Sequence, residues 1–248
     1  MAGVKYERQE TGFVNAIKTA FIQAGKVPIS VKAGSIVIKN VIDANKYEGR
    51  QQGGSEPYTD VQLIVKQGMG KRVVNLSLKG DEGAPSLAGG GLKGMEQVIP
   101  GISKKYMKKV HEHLLKKMKL KPGSKVPDVY GKLNESMKLK LVVGTAAMGG
   151  PIHYMYIGAM SPKASFNKAN KELVFENGKL IPSKTFARTH DLYFRLRARR
   201  EDQTFDPSAK SNDGTPKVYG VSPSRGDSAG RIVVTDRKPV NAVTITIS

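Results

Sequence analysis

Two alternating segments flanking a glycine-bracketed turn constrain this chain more than any other feature. Tyr58 to Lys66 places Val61, Leu63 and Val65 on one side, and Lys71 to Lys79 does the same with Val74, Leu76 and Leu78. A two-residue period marks a strand with one buried face, and Gln67-Gly68-Met69-Gly70 supplies the turn of a hairpin. With Gly68 and Met69 as the turn residues, Asp60 falls opposite Ser77, and Lys79 shares their face two residues further on. The polar face then carries Asp60, Gln62, Asn75, Ser77 and Lys79. A register slip of one residue would send them all to the other side. A carboxylate, a hydroxyl and an ammonium on one strand-borne platform suit a divalent cation and a phosphate.

The rest of the chain reads as an α/β protein. Thr11 to Ala24 carries Phe13, Ile17, Ala20, Phe21 and Ala24 at helical spacing, with Gly25 as a stop. Ile29 to Ile42 reads as one or two strands with Val31, Ile36, Ile38 and Ile42 as core residues, and Asn45 to Ser55 as a polar loop. After Lys79, a Gly-, Ala- and Pro-rich stretch is long enough for a flap over a site. Leu92 to Leu120 contains a helical region with an apolar stripe of Tyr106, Val110, Leu114 and Leu115. Leu139 to Gly144 and Ile152 to Gly158 read as strands, and Lys163 to Lys184 as a hairpin around Asn177-Gly178. Leu192 to Arg199 and Arg231 to Thr235 are strand-like, framing a loop-rich stretch from Glu201 to Arg231. The expected organisation is a core over residues 1–160 and a basic, β- and loop-rich extension over 161–248.

Composition names the partner class. Lys and Arg number 41 against 21 Asp and Glu, a net charge of +20 over 248 residues. A single-sign field of that size attracts polyanions and speeds their encounter. The charge is clustered: Ser103 to Lys140 holds 12 lysines against Glu112, Asp128 and Glu135. No run approaches the ~20 apolar residues of a membrane-spanning helix, and the N-terminus lacks the apolar stretch of a signal peptide. The absence of cysteine excludes disulfides, thiolate metal sites and cysteine nucleophiles, and is compatible with a cytoplasmic setting.

Glu56-Pro57-Tyr58-Thr59-Asp60 followed by Leu76-Ser77-Leu78-Lys79 resembles the PD-(D/E)XK nuclease superfamily over roughly residues 7 to 160. That family keeps an acid at the start of one strand and an acid-x-Lys on the next. The resemblance implies a restriction-endonuclease-like α/β/α core with a central mixed sheet, and Mg²⁺- or Mn²⁺-dependent hydrolysis of DNA phosphodiesters. It assigns Asp60, Ser77, Lys79 and Glu10 as the catalytic set, with Asp60, Glu10 and Glu56 as metal ligands. Glu10 fits the carboxylate that an early helix often supplies, with Glu7 as a neighbouring substitute. Ser77 departs from the pattern, standing where an Asp or Glu is usual. A hydroxyl is a poorer metal ligand than a carboxylate, so a nucleic-acid-binding or packaging protein without chemistry remains the alternative. Restriction, repair and phage- or mobile-element-encoded nucleases are all compatible, and paired cuts in a duplex would favour a homodimer.

Two basic groups are the expected DNA contacts. Lys104, Lys108 and Lys116 belong to the lysine-rich helical region. Arg195, Arg197 and Arg199 share one strand face, where planar guanidinium forks suit phosphates. The competing reading of the arginines is an exposed face neutralised by Glu201, Asp202 and Asp206. His111-Glu112-His113 lacks the i, i+4 spacing of a helical zinc site and reads as a solvated helix face. The glycine-rich stretches at 89–94 and 144–150 match no nucleotide-binding signature and read as flexible loops near a substrate. Glu96 and Gln97 are further polar candidates to face the site.

Overall fold

The computed structural model describes residues 2–48, 58–80, 91–196, 204–218 and 232–247. In chain order its elements are α1 (Ala2–Gln23), β1 (Ile29–Ala33), β2 (Ile36–Lys46), β3 (Val61–Gln67) and β4 (Gly70–Gly80). Then follow α2 (Gly91–Val98), α3 (Ile102–Glu112), β5 (Val129–Lys132), α4 (Glu135–Val143) and β6 (Tyr154–Gly158). The chain ends with β7 (Lys163–Asn167), β8 (Glu172–Glu176), β9 (Lys179–Pro182), α5 (Ser183–Thr189), β10 (Tyr193–Leu196), β11 (Ile232–Thr235) and β12 (Val243–Thr246). It divides into two compact units, one of residues 1–84 with 142–186 and the other of 85–141 with 187–248. The chain thus crosses between units three times, a different partition from a single cut at residue 160.

The first unit is built on a mixed eight-stranded sheet in the order β7-β8-β1-β2-β3-β4-β6-β9. β1 to β4 form an antiparallel meander, whereas β1 with β8 and β4 with β6 pair in parallel. The hairpin register is the one the alternation predicts, with Val61 opposite Leu76 and Gln67 opposite Gly70. Gly68, at φ 56°, is the first turn residue, where a two-residue hairpin turn calls for positive φ. Val61, Leu63, Val65, Val74, Leu76 and Leu78 are all buried in one core with Phe13 and Ile17 of α1.

This sheet curls. β8 and β9 lie near its opposite ends, yet two residues, Asn177 and Gly178, connect them. So short a link spans at most about 11 Å, so those strand ends must come together. Phe13 fills the inside of the curl, its ring stacked on Phe175 of β8 at 4.1 Å and edge-on to Tyr156 of β6 at 4.9 Å. The turn signal at Asn177-Gly178 is therefore real, but it closes no hairpin. β8 pairs with β1 and β7, and β9 pairs with β6. β7 to β9, assigned by the sequence to an extension packed on the core, are strands of this sheet.

Two other readings are corrected. α1 begins nine residues before the expected Thr11, so Glu10 lies within the helix and not at its start. Leu139 to Gly144 is not a strand: Glu135 to Val143 form α4, with the Asn134 Oδ1 accepting from the Met137 N–H at 2.9 Å as an N-cap.

The second unit has a four-stranded mixed sheet, β11-β10-β5-β12. Tyr106 of α3 is fully buried on it, its hydroxyl donating to the Val129 carbonyl at 2.7 Å and accepting from the Leu196 N–H at 3.2 Å. Val110 and Leu114 continue the expected stripe inward, while Leu115 is exposed. Among the described residues no helix is long and apolar enough to cross a membrane.

Candidate functional site

Asp60 is held where β3 begins, opposite the last residues of β4. Its N–H donates to the Leu76 carbonyl at 2.9 Å, and its carbonyl accepts from the Tyr47 N–H at 3.0 Å. The preceding residues are clamped to the segment after α4: the Tyr58 N–H reaches the Met148 carbonyl at 2.9 Å, and the Thr59 hydroxyl donates to the Gly149 carbonyl. That glycine-rich segment braces the site instead of hanging over it as a flexible loop. Gly149 has φ 75°, and a Cβ there would stand 2.8 Å from the Tyr47 ring, so the position favours glycine twice over. The earlier glycine-rich stretch is not a loop throughout, since Gly91 to Gly94 open α2, while its residues 89–90 and nearly all of the expected flap lie outside the described residues.

The Asp60 carboxylate faces β4 as the register requires. Its Oδ2 accepts from the Ser77 hydroxyl at 3.1 Å and from the Leu78 N–H at 2.6 Å. β4 continues past the start of β3, and this carboxylate occupies the place that a β3 backbone carbonyl would otherwise take. Lys79 lies on the same face as Ser77 by alternation and is half-buried. Two residues back, the Asn75 Nδ2 donates to the Pro151 carbonyl and its Oδ1 accepts from Gln62, both at 3.0 Å. The Asn75 N–H donates to the His153 Nδ1 at 2.9 Å.

Glu10 arrives at the same strand ends from the α1 side. Burial raises its carboxyl above the ordinary value, and the negative charge of Asp60 raises it further, against the opposing pull of Lys46. Two carboxylates on separate elements therefore sense each other. Lys46, at the end of β2, reaches the Glu10 carboxylate at 3.5 Å. Gln9, absent from the sequence reading, fixes this end of α1. Fully buried, its Nε2 donates to the carbonyls of Lys79 at 3.3 Å, Gly158 at 3.0 Å and Ala159 at 3.2 Å. The signal was present, since Gln9 extends the Phe13–Ile17 stripe one turn toward the N-terminus.

Asp60 and Ser77 are thus hydrogen-bonded at the strand end, with Lys79 following on the Ser77 face by alternation and Glu10 held beside them through Lys46, whose neighbour Tyr47 bonds Asp60. Glu56 lies outside the described residues. Among the described residues no group of three His, Asp or Glu side chains could hold a metal ion. Two carboxylates with nearby hydroxyl and main-chain oxygens nonetheless suit Mg²⁺, which keeps several waters and takes one or two carboxylates.

The expected DNA contacts fare differently from one another. Lys108 and Lys116 are exposed, while Lys104 forms an ion pair with Asp213 at 2.6 Å. Arg195 is engaged inside its own unit. Its Nε donates to the Asp128 carboxylate at 2.9 Å, and its guanidinium lies over the Tyr130 ring at 5.6 Å. Its partner among the described residues is Asp128, while Glu201 and Asp202, two of the acids expected to neutralise this face, lie outside them. Arg197 and Arg199 lie outside the described residues. Glu96 is occupied at the start of α3, its carboxylate accepting from the N–H groups of Gly101 and Ser103, each at 2.7 Å. His111 packs on Phe205 and meets the Pro207 carbonyl at 3.2 Å, and so is more enclosed than a solvated face.

Comparison of the chain with protein-family models, curated proteins and solved structures gives no match.

Proposed function

We propose that this chain is a divalent-cation-dependent DNA endonuclease with a restriction-endonuclease-like α/β core. The observation that carries the reading is the convergence of Asp60 and Glu10, from β3 and α1, at the strand end that also bears Ser77 and Lys79. The mixed sheet and the element order of helix, meander and returning parallel strand support the same architecture. The net charge of +20 supports a polyanionic substrate.

Asp60 and Glu10 would hold Mg²⁺ or Mn²⁺. When bound, the ion neutralises charge on the scissile phosphate and lowers the pKa of an attacking water. Ser77, the departure from the family pattern, orients the Asp60 carboxylate by donating to it, and Glu10 supplies the second negative charge. Lys79 stabilises charge developing on the phosphate oxygens. Exposed lysines such as Lys108 and Lys116 position the DNA backbone.

A nucleic-acid-binding protein without chemistry is the second reading. It is favoured by the contacts already made within the fold: Asp60 with Ser77 and Leu78, and Glu10 with Lys46. Digestion of supercoiled plasmid separates the two. The nuclease reading predicts nicking in Mg²⁺ that stops in EDTA and in Glu10→Gln. Intact plasmid at protein concentrations that saturate the DNA would leave binding alone.

A further inference from the structure

Beside the Glu10 carboxylate, α1 and the end of β2 border a cleft of about 580 Å³. Lys18, Asn45, Lys46 and Tyr47 line it together with Val14, Glu48 and Gln62. Lys46 also makes the ion pair with Glu10, so the cleft opens from the proposed cation site itself. Glu10, Val14 and Lys18 follow at four-residue spacing and form one stripe along α1. At 1.5 Å per residue, the exposed Lys18 stands about 12 Å along the helix from Glu10. That distance matches a strand running from the site for about three stacked nucleotides at roughly 3.4 Å each.

The lining has the chemistry of a base and its phosphates. Tyr47 offers an aromatic ring set against the Gly149 backbone. Asn45 and Gln62 face each other across β2 and β3. Their amide nitrogens are engaged, that of Gln62 by Asn75 and that of Asn45 by Asp43, so both residues border the cleft as fixed polar walls. Lys46 is paired with Glu10, so Lys18 supplies the cationic end of the lining, with Glu48 as its carboxylate. A volume of this size holds one or two nucleotides, and a base stacked in an intact duplex cannot enter it. Cationic grooves with an aromatic platform are how proteins hold single strands.

We propose that this cleft binds unpaired nucleotides of the DNA strand next to the cut, so that the preferred substrate contains a single-stranded stretch. Tyr47 stacks on the base and Lys18 contacts the outlying phosphate. The position of the cut rests on the nuclease reading, but the preference for single strands does not.

The test is fluorescence anisotropy on the full chain in EDTA, with a labelled 15-nucleotide single strand and the duplex of the same sequence. Tyr47→Ala is expected to weaken single-strand binding roughly 5- to 100-fold, the effect of one lost base stack. Duplex affinity should stay within about twofold, and Tyr47→Phe, which keeps the ring, should recover most of the loss. Lys18→Glu, at an exposed helix position, should lower single-strand affinity and flatten its log–log salt slope by about 0.7. It carries the test by itself if Tyr47→Ala does not fold. Equal losses on single strand and duplex, or no loss in either variant, would overturn the proposal. A protein that shows these losses but leaves plasmid intact in Mg²⁺ keeps the cleft and removes the nuclease reading. Cleavage indifferent to Tyr47 and Lys18 does the reverse.

Discussion

Asp60 has two separable roles, and substitution distinguishes them. As a ladder cap, one carboxylate oxygen accepts from the Leu78 N–H at 2.6 Å and the Ser77 hydroxyl at 3.1 Å. Both donors belong to residues only 3% exposed. Truncation in Asp60→Ala leaves two buried donors without an acceptor, each costing about 1–3 kcal/mol. The expected loss is about 2–5 kcal/mol, a fall in melting temperature on the order of 10 °C for a chain of this size. Asp60→Asn can present its amide oxygen to the same two donors. It loses only the charge assistance of the bonds, about 1 kcal/mol. Thermal and urea unfolding followed by circular dichroism should therefore rank wild type, Asn and Ala in that order, with the larger gap before Ala. Equal stability of Asp60→Ala and wild type would refute the capping role. A loss in Asp60→Asn as large as in Ala would show that the charge, not the acceptor, holds the strand end.

Further outcomes follow from the charged groups of both units. Because burial and Asp60 raise the Glu10 carboxyl above its unfolded value, the folded state binds the extra proton. Metal-free stability should thus rise as pH falls toward the ordinary carboxylate range, and Glu10→Gln should melt higher than wild type at neutral pH; an unchanged pH profile in that variant would contradict this. Burial, then the nearby Arg72, lowers the His153 imidazole below its ordinary value, and its Nδ1 accepts from Asn75. Its contribution is present above the unfolded value near 6.5 and is lost as pH falls through the lower folded value, so melting curves should drop on acidification below about pH 6.5 and His153→Gln should flatten them. Charge reversal at the exposed Lys108 and Lys116 should flatten the duplex salt slope by roughly 2 units, at about 0.9 per phosphate contact, whereas Lys104, paired with Asp213, should contribute little. Arg195→Ala, which breaks the Asp128 pair, should lower stability and leave that slope unchanged.

The elements legible in the sequence are those whose signal is local. Alternation on either side of Gly68 fixed the hairpin register, and with it the meeting of Asp60 and Ser77. The Phe13–Ile17 stripe marked α1, but its start was misread because Gln9 interrupts the apolar pattern while still facing inward. Leu139 to Val143 looked like a strand because an apolar run carries no period, and the decisive signal was the cap at Asn134. Partners distant in sequence were not legible. The parallel pairing of β1 with β8, the Lys46–Glu10 ion pair and the Asp128 partner of Arg195 depend on the closed tertiary structure. Arg195 shows the consequence: alternation could not point to Asp128, which lies 67 residues away in the chain.

The central claim is that Asp60 and Glu10, from two separate elements, form one divalent-cation site. Titration of Mn²⁺ into the protein, with free ion followed by electron paramagnetic resonance, tests it without requiring cleavage. The account predicts one saturable site in the wild type, lost in Asp60→Asn and weakened in Glu10→Gln, whose affinity falls as pH drops through the raised Glu10 value. Binding that survives unchanged in both variants, or no saturable site in the wild type, would contradict it.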